Sequence, residues 1–148
     1  MASPYDASVS TLFTKIIDGD IPGRFVWRDD DVVAFLTINP ITPGHTLVVP
    51  RAEVDHWLDL PPDLAGRCMA VAQVIGIAQM VAFAPARIGM IIAGLEVPHT
   101  HLHLIPIDRE ADLSFAKADP SPDPAALDHA AEQLRAALTA AGRPEVAS

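Results

Sequence analysis

HTHLHLIP, residues 99–106, places three of the chain's six histidines at every second position. Side chains alternate between the two faces of a β-strand, so a strand here directs His99, His101 and His103 to one face. The alternate residues Thr100, Leu102 and Leu104 then point to the opposite face. One face of the predicted strand is therefore imidazole, and the other is mainly hydrocarbon.

Three alternatives explain this pattern. The first is a solvent-facing strand that carries histidines by chance. Chance is a poor explanation for three histidines in register. The second is a metal site, because histidine is the commonest metal ligand. A catalytic zinc usually needs a third ligand, and none of His45, His56 and His129 has a recognisable ligand spacing from the three histidines.

The third alternative is nucleophilic catalysis at phosphorus. A neutral imidazole nitrogen is a good nucleophile near pH 7 when the other ring nitrogen donates a hydrogen bond that fixes the tautomer. Neighbouring imidazoles can bind phosphate oxygens, and each protonated ring raises the cost of protonating the next. The alternation would then present one nucleophile, His101, between two helping histidines on a rigid strand.

The N-terminal half of the chain predicts a helix followed by three strands. We expect Ser10 to cap a short helix that ends at Gly19 and turns residues 13, 16 and 17 inward. Two apolar runs around a short acidic turn indicate a β-hairpin, and Pro43-Gly44 suits a type II turn before the third strand. The three predicted strands are GRFVW (23–27), VVAFL (32–36) and HTLVVP (45–50).

A long apolar helix follows, with inward residues at helical spacing from residue 64 to 78. The run CMAVAQVIGIAQMVAFA, residues 68–84, is near the lower length limit for a membrane span, but Gln73 and Gln79 interrupt it and no positive cluster flanks it. We therefore expect a buried helix and no membrane association. Because the helix is apolar nearly all round, a solitary core helix and a subunit interface both remain open.

The C-terminal half predicts two more strands, a loop and a last helix. ARIGMIIAG, residues 86–94, is typical of a buried strand, and the three-histidine strand follows it. Residues 109–124 are rich in Asp, Ser and Pro and indicate a loop. Asp123 as N-cap and Pro124 at the first helical position begin a helix that ends near Gly142, with residues 127, 131, 134 and 138 on its inner side. This order of elements indicates an α+β fold.

Composition excludes several classes of function. A chain of 148 residues fits one domain, and a formal net charge of −9 argues against extended nucleic-acid contact while leaving a small phosphate-bearing ligand possible. The single cysteine, Cys68, excludes an intrachain disulfide and favours a cytoplasmic location. The N-terminal MASPYDASVS has neither the basic nor the apolar region of a secretory signal.

HTHLHLI fits the pattern His-φ-His-φ-His-φ-φ, where φ is an apolar residue and Thr100 takes the first φ place. It resembles the signature of the histidine-triad (HIT) superfamily. TLFTKIIDGDIPGRFVWRDDDVVAFLTINPITPGHTLVVP, residues 11–50, resembles the N-terminal half of the small nucleotide-binding branch, which hydrolyses purine nucleoside phosphoramidates and related mononucleotide esters. The resemblance spans roughly residues 11–107.

This resemblance implies a HIT-like fold in one domain over residues 1–148. Its core covers about residues 10–107, and a loop and C-terminal helix occupy residues 108–148. The implied fold is a five-stranded antiparallel sheet with a long central helix and a C-terminal helix. The resemblance also implies a homodimer whose sheets join across a two-fold axis.

The resemblance also implies roles for four histidines. His101 would be the nucleophile that forms a covalent nucleotidyl-histidine, which water then hydrolyses. His103 would contact the phosphate oxygens, and His99 and His45 would orient the site. His56 and His129 have no assigned role, and we expect each to be an ordinary surface or core histidine with its hydrogen bonds satisfied.

A second group of residues matches positions that line the base pocket in the family. From the sequence alone, the apolar residues of this group are equally well explained as core. Where relatives carry an acidic or amide residue for the ribose hydroxyls, this chain has Thr37, which offers one hydroxyl. The expected base-pocket residues are Leu12, Phe13, Ile16, Ile21, Phe35 and Ile38.

The chain departs from the family at the loop before the three histidines. Relatives carry Asn and Gly-Gln-Ser or Gly-Gln-Thr there, and this chain reads AGLEVPH. Leu95 cannot hydrogen-bond, and Glu96 adds a negative charge where an anion should sit. Glu96 either points away, acts as a general acid or recognises a cationic leaving group.

The chain also departs from the family at a structural zinc site that some members carry. Thr11 and Thr14 occupy its cysteine places, and Glu53 stands where its histidine would be, with His56 three residues on. Hydroxyls and one carboxylate make a poor zinc site. We therefore predict no bound metal and no cofactor.

The resulting hypothesis is an enzyme acting at the α-phosphate of a nucleoside phosphoramidate, a mononucleotide ester or a dinucleotide through His101. The expected partner is a purine nucleotide or a related phosphate ester. One alternative is a nucleotide-binding module with little turnover, which the residues at 95 and 96 would fit. A second alternative is a histidine-metal protein.

Overall fold

The structure is a computed structural model that describes residues 9–148. Residues 1–8, which fall within the stretch expected to carry no signal region, lie outside the described residues. The predicted order of helices and strands is confirmed. The elements are α1 (Leu12–Ile17), β1 (Phe25–Arg28), β2 (Val32–Leu36), β3 (Thr46–Pro50), α2 (Pro62–Phe83), β4 (Arg87–Ile91), β5 (Leu102–Ile107) and α3 (Pro124–Ala140).

The five strands form one antiparallel sheet in the order β1-β2-β3-β5-β4. This arrangement confirms the α+β class and the five-stranded antiparallel sheet with a long helix and a C-terminal helix. The loop before α3 contains two short 3-10 turns, Glu110–Asp112 and Phe115–Lys117. Asp123 caps α3 through its side chain as predicted, and the expected inner residues of α3 are buried.

Both faces of the sheet are covered by apolar side chains. Alternate residues of β2 divide between two clusters, so all five of its residues are buried and its sequence is continuously apolar. The first cluster lies between the sheet and the helices α2 and α3. The second cluster, which packs α1 on the other face, includes Phe13, Ile16, Phe35 and Leu47. The functional site lies beside this second cluster.

The start of the first helix differs from the expectation. Thr11, and not Ser10, is the N-cap of α1, because the Thr11 hydroxyl oxygen accepts a hydrogen bond from the backbone N–H of Thr14 at 3.1 Å. Both residues are good capping types, so local sequence does not separate them. The Thr11 side chain is fixed by tertiary contacts that reach the three histidines, as described below.

The strand that carries the histidines also begins later than expected. β5 starts at Leu102, opposite Val48 of β3, so His99 and His101 precede the strand. The preceding segment leaves the ladder because the N–H of Thr100 bonds to the carbonyl of Val54 at 2.7 Å. The predicted alternation of side chains survives, since Leu102 lies in the first cluster while both His99 and His101 contact the ring of Phe13.

The turn before β3 has the predicted type II geometry. The N–H of His45 bonds to the carbonyl of Thr42 at 3.2 Å, and Gly44 has φ +88°. A β-carbon at Gly44 would clash with the ring of Phe83 on α2. Glycine is therefore required both by the backbone and by the packing of α2 on this turn, which holds His45 in place.

One side of α2 covers the sheet, and the other side is exposed. Its buried residues include Cys68, Val71 and Ile75, whereas Ile77 is 66% exposed. The outer side of α2 is therefore not covered within this chain, and of the two alternatives left open by the sequence the exposed apolar side favours a subunit interface over a solitary core helix. Among the described residues, α2 is the one helix whose length and apolar character would allow it to cross a membrane, and a third of its most apolar window is buried.

Candidate active site

A cavity of about 980 Å³ opens on the face of the sheet that carries α1. It brings together every predicted site residue except His99, which lies behind the others. The base-pocket residues divide by exposure: Phe13, Ile16 and Phe35 are buried, whereas Leu12 and Ile38 are exposed. The predicted residues that line the cavity are Leu12, Phe13, Ile16, Ile21, Phe35, Thr37, Ile38, His45, His101 and His103.

His101 is held by a backbone hydrogen bond in one tautomer. Its Nδ1 lies 2.7 Å from the carbonyl oxygen of His99. A carbonyl oxygen only accepts, so Nδ1 donates, and in the neutral ring Nε2 keeps an unprotonated lone pair. The ring packs between those of Phe13 and His103, with 4.8 Å between centroids in each case. These contacts leave His101 with a defined orientation beside the cavity.

His103 receives the opposite tautomer through His45. The backbone N–H of Ile41 donates to Nδ1 of His45 at 3.0 Å, which places the proton of a neutral His45 on Nε2. That Nε2 lies 2.9 Å from Nδ1 of His103 and donates to it. Nε2 of His103 therefore carries a proton. His101 and His103 thus line the cavity with opposite tautomers, one with an acceptor nitrogen and one with a donor.

His99 is fully buried and supports this arrangement from behind. Its Nε2 donates to the carbonyl oxygen of Pro50 at 2.7 Å, so its Nδ1 is an acceptor. The hydroxyl of Thr11 lies 2.7 Å from that Nδ1 and donates to it. Both nitrogens of His99 are satisfied, and its backbone carbonyl is fixed where His101 binds it.

The histidines at this site are neutral at pH 7. Burial lowers the pKa of His45 to about 4, and burial together with the nearby His101 and His45 lowers the pKa of His103 to about 3. Burial also lowers the pKa of His99 and of His101 from the ordinary value. For His101, the hydrogen bond to the His99 carbonyl and the charge of Glu96 oppose this shift. A neutral ring is the form in which an imidazole is a nucleophile.

The residues at the positions that match the structural zinc site of some family members do not fit a zinc ion. Thr11 and Thr14 offer neutral hydroxyls, and these bond to each other at 3.2 Å. The Nδ1 of His99 is occupied by the Thr11 hydroxyl, and Glu53 accepts from the N–H of Thr11 at 2.8 Å. Within residues 9–148, no group of three His, Cys, Asp or Glu side chains is placed to hold a metal. A hydrogen-bonded network occupies this position and ties α1 to the three histidines.

The other two histidines lie away from the cavity lining. His56 is exposed and caps the 3-10 turn Trp57–Asp59, since its Nδ1 accepts from the N–H of Leu58 at 3.1 Å. His129 is exposed on α3. Both are thus surface histidines.

Some cavity residues come from the loop before α3, which the sequence indicated only as a loop. Phe115 packs its ring 4.9 Å from that of His103 and is 47% exposed. The loop is tied to the turn after β2, because Asn39 Nδ2 donates to the carbonyl of Asp119 at 2.9 Å, and Asp119 N–H donates to that of Pro40 at 2.9 Å. No local pattern marks Phe115, since only the tertiary fold brings it to the histidines.

Leu95 and Glu96, the two residues at which the chain departs from the family pattern, also lie at the cavity. Gly94 turns the chain with φ +74°, and both Leu95 and Glu96 line the cavity. Leu95 is 96% exposed and offers no polar group. The carboxylate of Glu96 is close enough to raise the pKa of His101. These observations favour a role for Glu96 at the site over the alternative that it points away.

We predict that Thr11→Val lowers the free energy of unfolding by about 2 to 3 kcal/mol, because it removes a helix cap and leaves the buried Nδ1 of His99 without a donor. Thr11→Ser keeps the hydroxyl and should cost less than about 1 kcal/mol. Thr14→Val is the matched control and should also cost less than about 1 kcal/mol, because the Thr11 hydroxyl still reaches His99. Urea unfolding measures all three, and equal losses for Thr11→Val and Thr11→Ser would contradict the network.

We also predict that stability falls as the pH drops from 7 to 5. The unfolded chain takes up a proton at His45 near pH 6.5, whereas the folded chain does so only near pH 4. The unfolded state binds more protons in this window, so His45 alone should lower the free energy of unfolding by about 2 kcal/mol. Urea unfolding at pH 7 and pH 5 measures this change. The free energy of unfolding should depend less on pH in His45→Gln than in the wild type, and as much as in the wild type in His129→Gln. An unchanged dependence in His45→Gln would contradict a neutral buried His45.

Comparison with known proteins identifies relatives of this chain. The sequence model of the HIT domain matches residues 18–110. An uncharacterized HIT-like protein of Methanocaldococcus jannaschii is 38% identical over 99 residues, 64% of this chain and 77% of that protein. The purine nucleoside phosphoramidase of Escherichia coli is 35% identical over 101 residues, 64% of this chain and 85% of that protein.

A solved structure shows the same fold. The zinc-bound histidine triad family protein of Mycobacterium smegmatis aligns with a TM-score of 0.79 at 30% identity, over 92% of this chain and 98% of that one. The HIT-like fold expected from the sequence is thereby confirmed. The matched region includes all three histidines of residues 99–103. The chain belongs to the histidine-triad (HIT) family.

Proposed function

We propose that this protein hydrolyses or transfers the nucleotidyl group of a purine nucleoside phosphoramidate or a related mononucleotide ester, with His101 as nucleophile. The family supports nucleotide hydrolysis or transfer in general, and one relative is a purine nucleoside phosphoramidase. The observation that carries the finer proposal is the bond from Nδ1 of His101 to the His99 carbonyl. This bond leaves Nε2 unprotonated in a ring that lines the cavity.

The proposed reaction has two steps. In the first, the Nε2 lone pair of His101 attacks the α-phosphorus, and the bond to the leaving nitrogen or oxygen breaks. The leaving group keeps that electron pair and takes a proton from solvent. In the second, water attacks phosphorus, the P–Nε2 bond breaks, its electron pair returns to His101, and a proton from the water passes to solvent. The sum consumes one water and no other reactant.

The other residues of the cavity have roles that follow from their tautomers and polarity. The protonated Nε2 of His103 can donate to a non-bridging phosphate oxygen and stabilise the charge that develops there. The apolar side chains around Phe13 and Phe35 form a wall suited to a flat base. The hydroxyl oxygen of Thr37 accepts from the N–H of Asn39 at 3.3 Å, so its proton is available for a ribose oxygen.

The two alternatives fit the site less well. The exposed Leu95 supports a nucleotide-binding module with little turnover, because it supplies no hydrogen bond to a phosphate or leaving group. A histidine-metal protein finds no support in residues 9–148, since no group of three potential ligands is placed to hold a metal and two of the four clustered histidines, His45 and His99, have both ring nitrogens in hydrogen bonds. For His103, the free nitrogen is the protonated one.

We predict that His101→Ala lowers kcat for adenosine 5′-phosphoramidate by at least about 10³-fold. The wild type should also carry a nucleotidyl adduct detectable by mass spectrometry, and the variant should not. His129→Ala is the control and should keep full activity, as should wild type treated with a chelator. Binding without turnover in the wild type would support the module, and activity that follows added metal would support the metal alternative.

We also propose a homodimer formed through β4 and the outer side of α2. The strand β4 lies at the edge of the sheet with its outer backbone groups available for pairing. Beside it, the outer side of α2 and β4 together line an apolar groove of about 610 Å³ that includes Met69, Ile77, Met80 and Met90. A second copy of the chain would cover this exposed apolar surface.

The dimer is tested by placing a charge in the groove. Ile77→Glu should give a monomer by sedimentation at concentrations where the wild type is a dimer, because a carboxylate would be buried in an apolar contact. Leu58→Glu is a matched control, since Leu58 is 67% exposed and Ile77 is 66% exposed, but Leu58 does not line the groove. A wild type that is monomeric at all concentrations would contradict the proposal.

A further inference from the structure

The cavity holds few charged groups, and their sum is negative. The charged side chains that line it are Arg24, Glu96 and Asp128. Arg24 Nε bonds to Asp128 Oδ1 at 2.7 Å, so this pair is neutral as a unit. The histidines at the cavity are neutral at pH 7, as shown above. One uncompensated negative charge, that of Glu96, therefore remains at a site suited to a phosphate.

This charge is unusual for a phosphate site, because such sites normally supply Arg, Lys or a metal ion. Here the lining offers a hydrogen bond from His103 and no unpaired cation. A substrate whose α-phosphate carries one negative charge can be held by neutral donors. A negatively charged leaving group would be repelled by Glu96, and no unpaired positive side chain in the cavity lining would offset that repulsion.

Glu96 lines the cavity on an exposed loop next to the proposed nucleophile. The loop that carries it is anchored by Val97, which packs on the second cluster, and leads directly into His99 and His101. In an in-line displacement the leaving group lies opposite the attacking Nε2. With the base on the apolar wall, as proposed above, the exposed loop that holds Glu96 is a part of the cavity lining open to the leaving group. The Glu96 carboxylate acts electrostatically on the ring of His101, since it raises the pKa of that ring.

A second side chain at the opening also suits a cation. Phe115 lies beside His103, lines the same cavity and is about half exposed. Aromatic rings attract alkylammonium groups through the negative charge of their faces. Glu96 and Phe115 thus provide a carboxylate and an aromatic ring near the two reacting histidines.

We propose that Glu96 determines leaving-group specificity, so that the enzyme prefers phosphoramidates whose leaving amine carries a second, positively charged group and disfavours anionic leaving groups such as phosphate, sulfate or carboxylate-bearing amines. This inference rests on the proposed function and narrows its substrate class. The chemical step is unchanged: the P–N bond breaks, and the amine departs with its electron pair and a proton from solvent.

The test uses three adenosine 5′-phosphoramidates that differ in leaving-group charge. Their leaving amines are 1,3-diaminopropane, which carries an added positive charge, butylamine, which is neutral beyond the reacting nitrogen and nearly isosteric, and β-alanine, which carries a carboxylate. For the wild type we expect kcat/KM to fall roughly tenfold at each step in this order. Added KCl should reduce these ratios because Glu96 is exposed.

Two variants assign the effect to Glu96. Glu96→Gln should bring the three kcat/KM values within about threefold of one another, since it removes the charge and keeps the shape. Glu132→Gln changes the net charge equally, but Glu132 is exposed on α3 and does not line the cavity, so this variant should keep the wild-type ratios. Equal rates for the three compounds in the wild type, or unchanged ratios in Glu96→Gln, would overturn the inference.

Failure of the proposed function gives a different result. If none of the three compounds is turned over, the proposed enzyme is wrong, and dissociation constants for the same compounds then decide the inference. Tighter binding of the diaminopropane compound than of the β-alanine compound, lost in Glu96→Gln, would support a role for Glu96 in recognition. Equal affinities would overturn it.

Discussion

The hydrogen bond from His101 Nδ1 to the His99 carbonyl determines the chemistry available at this site. A backbone carbonyl cannot donate, so this one contact fixes which nitrogen of His101 is protonated and leaves the other for phosphorus. The contact depends in turn on the position of His99, whose ring nitrogens are both satisfied by Pro50 and Thr11. The hydrogen bonds that Pro50 and Thr11 make with His99 thus help to fix the tautomer of His101.

The fold supplies these partners from distant parts of the chain. Thr11 comes from the start of α1, Pro50 from the end of β3, and His45 from the turn that Gly44 makes possible. Burial keeps the rings neutral, and a second hydrogen-bonded chain through His45 gives His103 the opposite tautomer. Neutral histidines with opposite tautomers provide an acceptor and a donor without a metal ion or a positive side chain.

The order of helices and strands could be predicted from the sequence because its signals are local, whereas the five-stranded sheet and most of the expected site residues came only from the resemblance to the HIT family. Alternation in residues 99–104 and the turn residues Pro43-Gly44 survive in the structure because each reflects backbone geometry. The beginning of β5 at Leu102 was missed, since a tertiary bond from Thr100 to Val54 removes residues 99–101 from the ladder. Phe115 was missed because its position depends on loop packing. The expected roles of the individual histidines remain proposals that follow from their geometry.

The most direct test is the ¹⁵N chemical shifts of the histidine ring nitrogens by NMR at pH 7, with assignment by single-histidine variants. The hydrogen bonds predict neutral rings at His45, His99 and His103 with the proton on Nε2, and a neutral His101 with the proton on Nδ1. Finding His101 with the same tautomer as the other three, or protonated on both nitrogens, would contradict the account.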